Sequence, residues 1–142
     1  MTYEQVRAAI IARMQSLPAL AIAQERIDYQ NPAVRFEPPA EGLWCRLSVE
    51  TARPVVRGLC QPKARVPGNI IIQCFDRAIS QVPTLALVKL ADALTAHFQF
   101  WETDGLMCRE AQLISVGSNQ SVGNPSGMGF TQANVQIYFI AG

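Results

Sequence analysis

The sequence predicts an α+β fold: a mainly antiparallel β-sheet with helices packed on one face. Three observations lead there. Apolar residues recur at helical spacing in two segments and alternate with polar ones in four others, in the order helix, two strands, helix, two strands. Strands and helices do not alternate one by one, as a parallel α/β sheet requires. Finally, 142 residues, 49% of them hydrophobic, make one domain spanning 1–142 that can bury a core without disulfide or metal.

The first helix opens on Thr2 followed three residues later by Gln5, the form of a capping box. Val6, Ala9, Ile10, Met14 and Leu17 then share one face, while Glu4, Arg7 and Arg13 face water, and Pro18 marks the stop. Asp28 to Gly42 holds Pro32, Pro38 and Pro39 and reads as an extended connector pinned by Tyr29, Val34 and Phe36.

Leu43, Cys45, Leu47 and Val49 alternate with Trp44, Arg46 and Ser48, which predicts a strand. A second follows at Asn69 to Phe75, where Ile70, Ile71 and Ile72 are stiff and β-branched. The two are expected to pair as a hairpin. Ala52 to Gly68, with three prolines and two glycines between them, reads as a long loop.

Pro83 suits the first turn of the second helix, because its missing N–H would be unpaired there anyway. Leu87, Leu90, Ala91, Leu94, Phe98 and Trp101 form its apolar stripe, and Asp104-Gly105 is expected to end it. Cys108 to Val116 reads as a third strand. In the fourth, Ala133, Val135, Ile137 and Phe139 alternate with Gln132, Asn134, Gln136 and Tyr138. Gly117 to Gly129, rich in Gly, Ser and Asn, suits a mobile hairpin loop. There is no internal repeat.

Chemistry-bearing residues are sparse. Cys45, Cys60, Cys74 and Cys108 lie 15, 14 and 34 residues apart with no close pair, which points to free thiols and away from a metal site or disulfides. His97, the only histidine, sits on the edge of the second helix's stripe and reads as a boundary residue that partly packs. The sequence holds no phosphate-binding glycine loop, nucleophile elbow or spaced carboxylate cluster. The expectation is a chain with no catalytic activity, no cofactor and no metal. No apolar run approaches the roughly 18–20 residues of a membrane span, and Glu4, Arg7 and Arg13 interrupt any signal-peptide pattern. These features predict a soluble protein of intracellular type with no membrane partner.

Charge distribution says more. Arg53, Arg57, Lys63 and Arg65 lie in a segment, 51–75, without one acidic residue; against a net charge of +1 this leaves −3 for the rest of the chain. The long loop therefore reads as a basic protrusion on a mildly acidic body, suited to an acidic protein surface or to nucleic-acid phosphates. Only Trp44 and Phe75 flank it and no aromatic lies within it, which disfavours base stacking. Residues 111–142 carry no charge at all. A final strand showing Gln132, Asn134, Gln136 and Tyr138 outward lacks the charges that protect a sheet edge, and so reads as a subunit contact.

The order of these pieces resembles the bacteriophage and prophage tail terminator and minor tail proteins, with related phage domains of unknown function. The matching stretches are Val34–Pro39, Gly42–Val49, Gly68–Phe75 and Leu90–Phe98, closed by an aromatic strand at Val135–Ile140. They span nearly the whole chain. The connector Asp76–Val82 departs from the family in having no glycine.

The resemblance implies a subunit that is monomeric alone and forms a ring, typically a hexamer, on the tail tube. Such a ring stops tube growth and presents a surface to the head–tail connector protein. It implies the tail tube protein, the connector protein and the chain itself as partners, and a place in the virion tail after assembly in the host cytoplasm. It supplies no catalytic residues. The competing readings are a small basic nucleic-acid-binding module and a hydrolase using Cys45 or Cys108 with His97.

Overall fold

The computed structural model describes residues 1–58, 63–77, 84–119 and 130–142. Among these residues two α-helices, α1 (Tyr3–Gln15) and α2 (Leu85–Phe98), and a short 3-10 turn at Gln24–Arg26 accompany seven strands. These are β1 (Ile27–Asp28), β2 (Leu43–Thr51), β3 (Val55–Arg57), β4 (Lys63–Asp76), β5 (Glu102–Thr103), β6 (Leu106–Asn119) and β7 (Phe130–Ala141). The sheet runs in the order β1-β2-β4-β7-β6-β5, with β3 paired to the near end of β4. Among the described residues only β1 and β2 run parallel, so the fold is α+β and mainly antiparallel, as expected.

One face of the sheet makes the core. Cross-strand rows such as Leu47–Ile72–Val135 and Val49–Ile70–Ile137 stand on it. They pack with Val6, Ile10 and Met14 of α1 and Leu87, Leu90, Leu94 and Phe98 of α2 in one cluster. Both helices thus lie on the same side. Thr2 caps α1 through the capping box: its hydroxyl accepts from Gln5 N–H while the Gln5 side chain accepts from Thr2 N–H. Thr84 caps α2 by accepting from Leu87 N–H; Pro83 lies outside the described residues.

Several expectations change. The described parts of the segment, 52–58 and 63–68, are not the expected long loop. β2 and β3 follow one another along β4, so that most of the segment is the far half of a long hairpin. Between Thr51↔Gly68 and Val55↔Arg65, three residues oppose two, which is a bulge. The bulge is what admits Pro67 inside β4. Its carbonyl accepts from Ala52 N–H, and its missing donor falls on that same irregular side. The second helix ends at Phe98 with Gln99 as its cap, not at Asp104-Gly105. Phe100 takes a φ of 60° and turns the chain into β5, and Asp104-Gly105 is the turn into β6, with Gly105 at φ 80°. β6 continues to Asn119, past the expected start of the glycine-rich loop; the rest of that loop, 120–129, lies outside the described residues.

Candidate interaction surface

The hairpin formed by β3 and the start of β4 is a basic arm. Beyond Val66, which pairs with Ala141, residues 63–65 of β4 have β3 as their one strand partner among the described residues. Arg53 and Arg65 are exposed on it. Arg57 and Lys63 stand opposite each other in the register, though their side chains, like Cys60, lie outside the described residues. Val55 and Val56 leave 54% and 68% of their surface in water. At the arm's root, Arg65, Glu102 and Arg109 line a groove of about 400 Å³.

Gln132, Asn134, Gln136 and Tyr138 do share the sheet face opposite the helices, but β7 is no edge. It is hydrogen-bonded to β4 on one side and β6 on the other. The edge-protection argument for these four residues therefore falls. Local sequence pattern does not show this, because β4, which closes the second side of β7, comes from a distant part of the chain. Gln132 is buried and donates through Nε2 to Asn134 Oδ1 at 3.0 Å, Asn134 and Gln136 are half-buried, and Tyr138 is exposed. Their neighbours on this face, Gln73, Ile71 and Asn69 on β4 and Ile114 and Gln112 on β6, are also uncharged. Asn69 buries its Oδ1 with no hydrogen-bond partner among the described residues.

Sequence reasoning missed an aromatic cluster at the other end of this face. Trp44, on the face of β2 opposite Cys45 and Leu47, is 3% exposed. It stacks on Phe75 at 4.2 Å between centroids, and the connector lays Phe36 beside it at 5.4 Å. The Arg46 guanidinium sits 5.5 Å from the Trp44 ring centroid and is held by Asp28 at 3.1 Å. The signal was present in Phe36 and Phe75, but only the fold brings them to Trp44.

The residues tested for catalysis have structural partners. His97 Nε2 lies 2.7 Å from the Arg13 carbonyl, which can only accept, so Nε2 carries the proton. Arg13 returns two bonds to the His97 carbonyl, from Nε at 3.0 Å and Nη2 at 2.6 Å, and its guanidinium lies 5.2 Å from the Trp101 ring centroid. This clasp joins the C-terminal ends of the two helices and sets a cation at the negative end of α2.

Cys45, Cys74 and Cys108 are free and buried. Burial pushes the Cys45 thiol up to about 12 and Cys108 to about 11. Burial, reinforced by Cys45 opposite it, also holds Cys74 well above the usual thiol value. All three are therefore neutral thiols near pH 7. Among the described residues no three His, Cys, Asp or Glu side chains group as metal ligands, and no helix is long and apolar enough to cross a membrane.

No protein-family model matches this sequence, and no curated protein matches it significantly. One solved structure, of a protein without a descriptive name, aligns with 100% of this chain and 96% of its own at a TM-score of 0.61 and 18% identity. That likeness speaks for the fold alone.

Proposed function

We propose that this chain is a structural subunit of a phage or prophage tail, which assembles with copies of itself into a ring on the end of the tail tube. There it stops tube growth and offers the surface to which the head–tail connector docks. The observation that carries the reading is the basic arm, which brings four cations and no carboxylate to one end of a body with net charge −3. Such an arm suits docking onto an acidic protein surface. The order of sequence pieces shared with tail terminator proteins supplies the rest of the support. No catalytic step is assigned, because the one imidazole is committed to the helix clasp and the described thiols are protonated.

The test is a quadruple variant, Arg53→Glu, Arg57→Glu, Lys63→Glu and Arg65→Glu. It is expected to melt like the parent and to lose capping of tail tubes. Normal capping by a folded variant would refute the docking role. Nucleic-acid binding is the competing use of the same cations. A mobility shift that weakens steeply with added salt would favour it, because phosphate contacts release counterions. The exposed valines of the arm offer no platform for stacking bases.

A further inference from the structure

Among the described residues, the outer side of β6 is an open sheet edge over much of its length. Three groups close the first part of that edge. β5 pairs with Leu106 and Met107, the Trp101 carbonyl accepts from Cys108 N–H, and Phe100 N–H donates to the Arg109 carbonyl. Gln99 Oε1 then accepts from Ala111 N–H at 2.9 Å. In an antiparallel ladder N–H and C=O directions repeat every second residue, so Leu113 points its N–H and C=O outward, as Ala111 does. From Gln112 to Asn119 no strand lies on this side among the described residues. The stretch has no proline and no charge to guard it, and the ladder to β7 is regular from Ala111 to Ser115, before an irregularity between Ser115 and Gly117. Leu113 and Ile114, on opposite faces of the strand, are 43% and 38% exposed.

The arm is its complement. β3 is itself an open edge, and its consecutive Val55 and Val56 are exposed on opposite faces. Charge matches as well. The β5–β6 side of the molecule carries exposed Glu102, Asp104 and Glu110, with Arg109 and, across the groove at the arm's root, Arg65 as its cations, whereas the arm carries four cations and no carboxylate. Glu102 and Asp104 make no ion pair among the described residues.

We propose that copies of this chain join head to tail by strand addition, β3 of one copy pairing with the outer edge of β6 in the next. This rests on the reading of the chain as a self-assembling subunit and names the contact. Val55 and Val56 then cover Leu113 and Ile114, and the arm's cations meet the carboxylates of the β5–β6 side. The two surfaces differ, so the contact is heterologous. Repeated with a closing rotation it generates a ring.

Variants Val56→Cys and Leu113→Cys, each also carrying Cys60→Ser so that the introduced thiol stands beside only the buried Cys45, Cys74 and Cys108, are mixed at high concentration and oxidised. The expected product is the mixed Val56→Cys/Leu113→Cys dimer, predominating over either homodimer. A companion variant, Leu113→Pro, removes only an outward N–H and leaves the bonds to β7 in place. It is expected to keep the parental melt and to lose the oligomer seen by light scattering, and Leu113→Lys to do the same. A predominant Leu113→Cys homodimer, or oligomers that give no mixed cross-link, would overturn strand addition and leave the ring reading standing. A chain that stays monomeric to millimolar concentration, gives no cross-link and fails to cap tubes would overturn both.

Discussion

Gly68→Ala tests how tightly β4 is locked between its neighbours. A Cβ added at Gly68 would lie 2.4 Å from the Glu50 carbonyl oxygen and 2.4 Å from Cζ of Phe139, where ordinary contacts begin at 3.4 Å. Gly68 pairs with Thr51 on one side and Phe139 on the other, so neither strand can retreat without opening the ladder. Overpacking of a core typically costs about 1–3 kcal/mol. Displacing Glu50 strains neighbouring ladder bonds, each worth about 1 kcal/mol. The expected loss is about 2–4 kcal/mol, or roughly 6–12 °C in Tm for a chain of this size.

Urea unfolding followed by circular dichroism, with calorimetry for Tm, measures it. Phe139→Leu in the same background relieves only the ring contact. The double variant should therefore remain less stable than Phe139→Leu alone, because the Glu50 oxygen has not moved. A Gly68→Ala protein within about 0.5 kcal/mol of the parent, the range of an innocuous surface change, would refute the argument.

Two further outcomes follow from the described contacts. Arg13→Ala should destabilise by about 1.5–3 kcal/mol, because it removes a charged donor from the carbonyl end of α2. His97→Ala should cost about 1 kcal/mol and leave tube capping at the parental level; a folded His97→Ala protein that cannot cap would contradict a purely structural role for the imidazole. Stability should also fall in alkali. The buried Cys45 thiol is raised from 9.0 to about 12, so above pH 9 the unfolded chain ionises it while the native protein does not. The stabilisation is whole below pH 9 and is lost towards pH 12 at about 1.4 kcal/mol per pH unit. Cys108 adds to the trend up to about pH 11. Urea midpoints at pH 8, 9 and 10 check this, and Cys45→Ala should flatten the decline.

The elements that could be read from the chain were those defined by local periodicity. The capping box at Thr2, the stripe Val6–Ile10–Met14 and the alternation along β2 and β7 place side chains as they stand in the fold. What escaped depends on residues far apart in sequence. Pro54, Pro62 and Pro67 argued for a loop, and only the bulge opposite Pro67 shows how β4 carries a proline. The apolar stripe of α2 continues to Trp101, which packs against the core although the helix has already ended. The uncharged tract 111–142 led to an edge argument for its last strand that the sheet order does not support. β7 has partners on both sides, while β6, inside the same tract, has the open edge.

That reassignment also bears on how firmly copies would hold each other. A strand of three residues, Val55–Arg57, offers few main-chain bonds, each worth about 0.5–1.5 kcal/mol net. Exposed ion pairs add about 0–1 kcal/mol apiece. Association of two proteins costs about 4–15 kcal/mol in lost freedom before any surplus appears. A single contact of this kind therefore leaves the chain monomeric when dilute. If the chain caps tail tubes as proposed, subunits on a tube end would be held side by side, each further contact would become intramolecular, and the same weak strand addition would close the ring. On that proposal the subunit would stay dispersed in solution and assemble only on a tube end. Light scattering across a dilution series should show monomer throughout the micromolar range, and a tight oligomer persisting at nanomolar concentration would break the argument.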